Sequence, residues 1–272
     1  RMWLTDQEII ISGRRIAYVG PAGSYTGTVS EDLHEPDLMA VPGFGEVHKH
    51  IESSHVTPEW EAALVLPHGN TWTCEASHEF SNVDGANNLA FWFAARRAGS
   101  PQKIFPLPGS AVPPTAYEWG GGYFGYDEQL GFLSESLMVA GLDEVMDWPA
   151  VWNRENRSYD RLWGMIEATF EKRGVVEGHA AGIRDLPRIN AFAAAGLASD
   201  HEAWTAEEVL DKLRRGLFME LRPHSLKDMV AGLLDAGLSD WSQFAITTDD
   251  RSCSDTLKLG ATDYNVRLAI EA

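Results

Sequence analysis

Two hydrophobic periodicities run along this chain. Near its start, "EIIISGRRIAYVG" (residues 8–20) sets two apolar, β-branched runs on either side of Ser12-Gly13, which predicts a β-hairpin. From Leu38 onward, short β-rich runs alternate with longer stretches of helical character. The runs fall at Leu38 to His48, Thr71 to Ala76, Lys103 to Leu107, Val139 to Met146, Val175 to His179, Leu197 to Asp200, Leu217 to Leu221 and Phe244 to Asp249. Such alternation predicts a parallel sheet with crossover helices. Helix signals sit between the runs: Pro58 at a first helical position after Thr57, a capping-box pattern "TAEE" from Thr205 to Glu208, and Ser225 before "LKDMVAGLLDAG", which Gly237 closes. Eight strand-helix units predict an α/β fold of the (β/α)8 TIM-like barrel type, with a doubly wound open sheet as the alternative. The stretch "PGSAVPPTAYEWGGGYFG", Pro108 to Gly125, breaks the rhythm and predicts an irregular loop of the kind that often carries binding.

Both architectures collect chemistry at the carboxyl ends of their strands. The first run leads through "VPGFGEVHKHIESS" to His48 and His50, whose i, i+2 spacing on a strand projects both imidazoles from one face. The second runs into Ser77-His78-Glu79, and the fourth carries Glu144 in "GLDEVMDWPAV". The fifth ends at His179, the sixth at Asp200-His201-Glu202 and the eighth at Asp249-Asp250-Arg251. Singly, each has an ordinary role: a histidine in a loop is usually a hydrogen-bonding group, and an aspartate after a strand usually caps a helix. Together, imidazole and carboxylate at so many strand ends form the ligand set of a catalytic divalent metal.

Composition narrows the partners. Acidic residues outnumber basic ones 40 to 22 in 272 residues, for a formal net charge of −18. That balance argues against nucleic acid or an anionic membrane surface as a partner. Two cysteines, no signal peptide and no apolar run of membrane-spanning length predict a reduced, cytoplasmic location. The chain opens at Arg1 with no initiator Met and closes inside a helical pattern, which predicts a fragment of a longer protein. Trp60, Trp92, Trp148, Trp152 and Trp163 read as core or helix-to-barrel packing, with Trp119 in the irregular loop as the candidate for stacking.

In order along the chain, "VPGFGEVHKHIESSHVTP", "VLPHGNTW", "SHEFSNV", "GLDEVMDWPAV", "VEGHAAG", "AFAAAGLASDHE", "TAEEVLDKLRRGLFMELR" and "TTDDR" resemble successive blocks of the adenine deaminase family of the metal-dependent amidohydrolase superfamily. The resemblance implies a hydrolase of C–N bonds in cyclic amidines that converts adenine to hypoxanthine and ammonia in purine salvage. It implies two divalent metal ions, manganese or iron in preference to zinc, held by His48, His50, Glu144, His179, His201 and Asp249. Asp249 is taken over Asp250 as the acid of the last strand. Asp249, Glu144 and His78 would act in catalysis, and Glu79, Ser110 and Glu177 would contact the purine. The family's common Asp-Pro-His-Glu is replaced here by Ala76-Ser77-His78-Glu79, with Glu75 displaced by one, and Glu46 stands two residues before His48. Alternatives are an amidohydrolase for another amino-heterocycle or cyclic amide, or an inactive metal-binding barrel fragment. The family also implies a homo-oligomer, a partial β-sandwich over residues 1–40, and a barrel over 41–272 truncated at its C-terminal end.

Overall fold

The structure is a computed structural model that describes residues 3–135 and 139–272; the first two positions of the predicted 1–40 segment lie outside it. The chain divides into two compact units, Arg1–Pro42 and Gly43–Ala272. In the first, β1 (Gln7–Ser12) and β2 (Arg15–Pro21) form the predicted antiparallel hairpin, with Ser12 opposite Arg15. Gly13 makes the turn at φ +60°, a left-handed conformation that costs glycine little. The Glu8 carboxylate accepts from Gly23 N at 3.1 Å and from the Ser24 hydroxyl at 3.2 Å, tying the segment after β2 back to β1.

In the second unit eight strands follow in chain order: β3 (Phe44–Lys49), β4 (Asn70–Ala76), β5 (Lys103–Leu107), β6 (Gly141–Val145), β7 (Val175–Gly178), β8 (Ser199–Asp200), β9 (Phe218–Leu221) and β10 (Phe244–Ile246). Every predicted strand is present. The first begins at Phe44 instead of Leu38, since Pro42 supplies no backbone N–H and Gly43 favours no extended conformation. All sheet pairings among these strands are parallel, and each strand pairs with its sequence neighbour, in the groups β3-β4-β5, β6-β7 and β8-β9-β10. The doubly wound alternative requires a reversal of strand order, and the described pairings contain none. Single backbone contacts join the groups: Asp143 N donates to Pro108 O at 3.0 Å, and Ala198 N donates to Val176 O at 2.9 Å. A parallel bridge links Lys49 at the end of β3 with Asp249 after β10, where His50 N donates to Asp249 O at 3.4 Å.

Helices between the strands turn their apolar faces inward. Leu162, Met165 and Ile166 from Tyr159–Glu171, Ile189 and Phe192 from Leu186–Ala194, and Met229 and Leu233 from Leu226–Asp235 pack on Leu142, Val145, Val176 and Met219 of the strands, all buried. Thr205 caps Ala206–Leu213 as its sequence predicts, with Oγ1 accepting from Glu208 N at 3.2 Å. Ser225 precedes Leu226–Asp235 without a side-chain cap bond, whereas Gly237 adopts the left-handed φ of +83° expected beyond a helix end. Trp92 is buried as expected, but Trp60 is not core: it stands on the outer face of Pro58–Val65, 68% exposed. No helix of the described residues is long and apolar enough to cross a membrane.

Candidate metal centre

The strand ends converge on one buried cluster of imidazoles and carboxylates. His48 is the last residue but one of β3 and His50 directly follows the strand, so their rings stand together as the strand period requires, with Nε2 atoms 3.2 Å apart. A second pair comes from two different strands: His179 after β7 and His201 after β8, with His179 Nδ1 and His201 Nε2 also 3.2 Å apart. Glu144 of β6 lies between the pairs. Its Oε2 contacts His179 Nδ1 closely and His201 Nε2 at 3.0 Å, and its Oε1 lies 3.5 Å from His50 Nε2. The sixth member, Asp249, places Oδ1 3.4 Å from His50 Nε2 and 3.8 Å from His48 Nε2. The structure thus brings together all six residues singled out as metal ligands.

Their fit to metal can be judged from the nitrogens. Two imidazole nitrogens facing each other at 3.2 Å make a hydrogen bond only if one ring donates, whereas a cation satisfies both lone pairs at once. The arrangement occurs twice, and each time a carboxylate oxygen completes a set of donors within 4.8 Å of one another: His48, His50 and Glu144 in one set, Glu144, His179 and His201 in the other. Neutral nitrogen with anionic oxygen is a donor set for divalent transition metals. These residues can therefore hold divalent metal.

The electrostatics describe a pocket that attracts positive charge. Burial opposes charge on Glu144, yet hydrogen bonds with His179 and His201 hold its carboxyl well below the usual range. Burial also opposes charge on His201, but its hydrogen bond with Glu144 and the nearby Glu220 carboxylate push it well above its ordinary value. The same contest at His50 is decided upward by Glu79, whose Oε1 lies 3.0 Å from Nδ1. His48 goes the other way: desolvation, reinforced by the charge of His201, keeps it neutral. Without metal, protons occupy the places where a cation is favoured.

Around the six ligands lie the other predicted residues. Glu177 Oε2 is hydrogen-bonded to His48 Nδ1 at 3.1 Å, so it orients that ring, and burial followed by the charge of Glu220 pushes its carboxyl well up. His78 sits edge-on to His50 with ring centroids 4.9 Å apart, and its Nδ1 pairs with Asp143 Oδ2 at 2.9 Å. Against desolvation, that partner raises His78 to about 9. Glu79 is the accessible acid of the group. Burial would raise it, but His50 brings it down to about 2, so it is a carboxylate that accepts hydrogen bonds. Ser110 is buried, and its hydroxyl is engaged with the carbonyl of Glu144, where it braces the ligand strand.

Asp249 and Asp250 are separated by geometry. Asp249 faces the histidines from a left-handed backbone at φ +55°, whereas Asp250 turns away and accepts from the Ser53 hydroxyl at 2.9 Å. Trp119 is not brought to the cluster: it is fully exposed on its loop. That loop is pinned from beneath by Arg161, which donates to Ser110 O at 2.9 Å, Phe124 O at 3.1 Å and Pro113 O at 3.1 Å.

The sequence reading missed Asp143, Glu220 and Arg222. Arg222 Nε forms an ion pair with Asp249 Oδ2 at 2.7 Å, which leaves Oδ1 toward the histidines. Glu220 Oε2 lies 3.7 Å from His201 Nδ1. Both belong to the strand Phe218–Leu221 and its end, and an acid inside the otherwise apolar "FMEL" was the available signal.

No protein-family model matches the chain. Over all 272 residues it is 87% identical to adenine deaminase 2 of Jannaschia sp. (strain CCS1), and it covers 44% of that protein. It is 76% identical over 272 residues to adenine deaminase 2 of Bradyrhizobium diazoefficiens, again covering 44%. A more distant relative, the adenine deaminase of Halalkalibacterium halodurans, is 32% identical over 98% of this chain and 44% of its own length. The chain spans less than half the length of these curated relatives. Among solved structures, the crystal structure of an adenine deaminase matches 97% of this chain and 75% of its own, with a TM-score of 0.62 and 15% identity, a likeness of fold. From end to end, the chain is homologous to proteins named adenine deaminase.

Proposed function

We propose that this chain carries the metal centre of a hydrolase that converts adenine and water to hypoxanthine and ammonia, in purine salvage in the cytoplasm. The observation that carries the reading is the convergence of four histidines, Glu144 and Asp249 in a chain so similar along its whole length to proteins named adenine deaminase. The fold we infer is a (β/α)8 barrel, supported by eight parallel strands in chain order and the Lys49–Asp249 bridge between first and last. Residues 1–40 would be part of a small β-sandwich, residues 41–272 would belong to the barrel, and the whole protein would be a homo-oligomer.

His48, His50, Glu144, His179, His201 and Asp249 would hold two divalent ions, and Glu144 reaches both histidine pairs. Manganese or iron is the reading we favour, with zinc also suited to the donors. Bound metal supplies Lewis acidity, which brings the ionisation of water to about pH 7. Asp249 takes the proton of the attacking water at Oδ1, held toward the histidines because Arg222 occupies Oδ2, and returns it to the departing amino nitrogen. Burial raises Asp249, with His201 and Arg222 opposing, and so moves it toward the range in which one carboxyl can take and return a proton. Glu79 accepts from a purine N–H, and His78, kept protonated by Asp143, donates toward the ring. Glu177 and Ser110 are occupied by His48 and the Glu144 carbonyl; their part is to position ligands.

The test is ammonia release from adenine by the purified chain supplied with Mn(II), beside Asp249→Asn. General acid-base work by one residue is worth about 10²- to 10⁴-fold. A loss of that size with metal retained supports the reading. Two metals bound with no turnover on adenine would overturn the substrate and direct the search to other amino-heterocycles.

A further inference from the structure

The cluster Lys212, Asp200 and Ala180 lies behind the metal centre and touches no proposed substrate group. Lys212, on the helix Ala206–Leu213, is 1% exposed, and its ammonium donates to Asp200 Oδ2 at 2.7 Å and to Ala180 O at 3.3 Å. The other oxygen of Asp200, Oδ1, accepts from Ala180 N at 2.7 Å. Carboxylate and ammonium together therefore grip both backbone groups of one residue. Ala180 directly follows His179, and Asp200 directly precedes His201.

The position matters because the ordinary means of spacing two strands runs out here. Strand β8 is two residues long. Its link to β7 consists of Ala198 N on Val176 O and Gly178 N on the Ser199 hydroxyl at 3.3 Å, both before the histidines are reached. Beyond that point the Lys212–Asp200–Ala180 ring takes over. A fully buried lysine is a poor device for stability alone, because the desolvation of both charges offsets most of their attraction. Its geometric product is specific: it fixes the separation of the two imidazoles that face each other across 3.2 Å.

We propose that Lys212 and Asp200 are positioning residues that set the spacing of His179 and His201 and so the affinity of the metal position those two form. The inference rests on the metal reading above. The β3 pair, His48 and His50, takes its spacing from alternate positions at the end of β3 and just beyond it, so the clamp acts on one metal position and not the other.

The experiment is a titration of the metal-stripped full chain with Mn(II), followed by electron paramagnetic resonance and calorimetry, for wild type, Lys212→Met and the Asp200→Asn/Lys212→Met double variant. Leu162→Ala, a buried core substitution on the helix Tyr159–Glu171, which carries none of the candidate ligands, serves as a control for general destabilisation. The expected result is two bound ions in wild type and, in the double variant, one position weakened at least tenfold while the other is unchanged. Leu162→Ala should lower the melting temperature without separating the two affinities. If the single variant fails to fold, the double variant, which leaves no unpaired charge, decides the matter. Unchanged affinities, or equal losses at both positions that follow the melting temperature as in Leu162→Ala, would overturn the clamp. Wild type without bound Mn(II) would instead overturn the metal reading itself.

Discussion

The two histidine pairs reach the same 3.2 Å separation by opposite routes. His48 and His50 are two residues apart in the sequence, at the end of β3 and just beyond it, so local backbone geometry brings them together. His179 and His201 come from different strands, and their spacing depends on a distant helix through Lys212. One half of the site is thus written in a dipeptide period and the other in tertiary packing. The difference teaches that a symmetric-looking centre can have unequal dependence on the rest of the fold.

The largest effect is expected where the comparison vanishes, at the residue both pairs share. Glu144→Ala should remove metal from both positions and lower turnover by at least the roughly 10²- to 10⁴-fold attributable to acid-base catalysis alone. Metal analysis beside the ammonia assay checks it, and a variant that keeps one full equivalent would show that the pairs are independent. Next comes Glu177→Gln, which weakens the orientation of His48 only. Partners that orient a metal-binding histidine are typically worth about 10- to 100-fold in affinity. The loss should fall on the β3 position, opposite to the one affected by Lys212→Met.

A third prediction concerns the backbone beneath the β3 pair. Glu75 accepts from Ile51 N at 2.8 Å, just beyond His50, and burial, then the neighbouring Glu52, raises its carboxyl well above the ordinary 4.5. The folded chain therefore keeps a proton that the unfolded chain releases near pH 4.5, and this contribution to stability declines as pH rises from there toward the folded value. Glu75→Gln should gain stability relative to wild type between pH 5 and pH 8, read from urea midpoints. A difference that stays constant with pH would show that Glu75 is ionised in the fold. The smallest effect belongs to Trp119→Ser: at a fully exposed side chain, stability should change by no more than about 0.5 kcal/mol. Mn(II) affinities at both positions should also be unchanged.

Legibility followed the same division. The hairpin, all eight strands and the i, i+2 histidines were readable because each is a local period or turn signal. The six candidate ligands were readable as a set because they stand at strand ends in an ordered series. Asp143, Glu220 and Arg222 were not, since an acid beside Glu144 or inside β9 acquires meaning only when the strands are placed side by side. The contact of Ser110 was hidden for a related reason: its loop reads as a pocket, and only the fold shows its hydroxyl turned to the Glu144 carbonyl. Trp60 shows the reverse error, an aromatic residue placed by its type in a core that its helix turns away from.

The bridge between Lys49 and Asp249 has a consequence in time. The two segments it joins lie near opposite ends of the second unit, so this contact closes a loop containing nearly all of it. Contacts of such long range form late and slowly, because the entropy of closure must be met before the contact repays it. Asp249 arrives with that bridge, whereas Glu144 can meet His179 and His201 from strands already neighbouring one another. In refolding, metal capture should therefore proceed in two kinetic phases, a faster one at the His179–His201 pair and a slower one that waits for the last strand to reach the first.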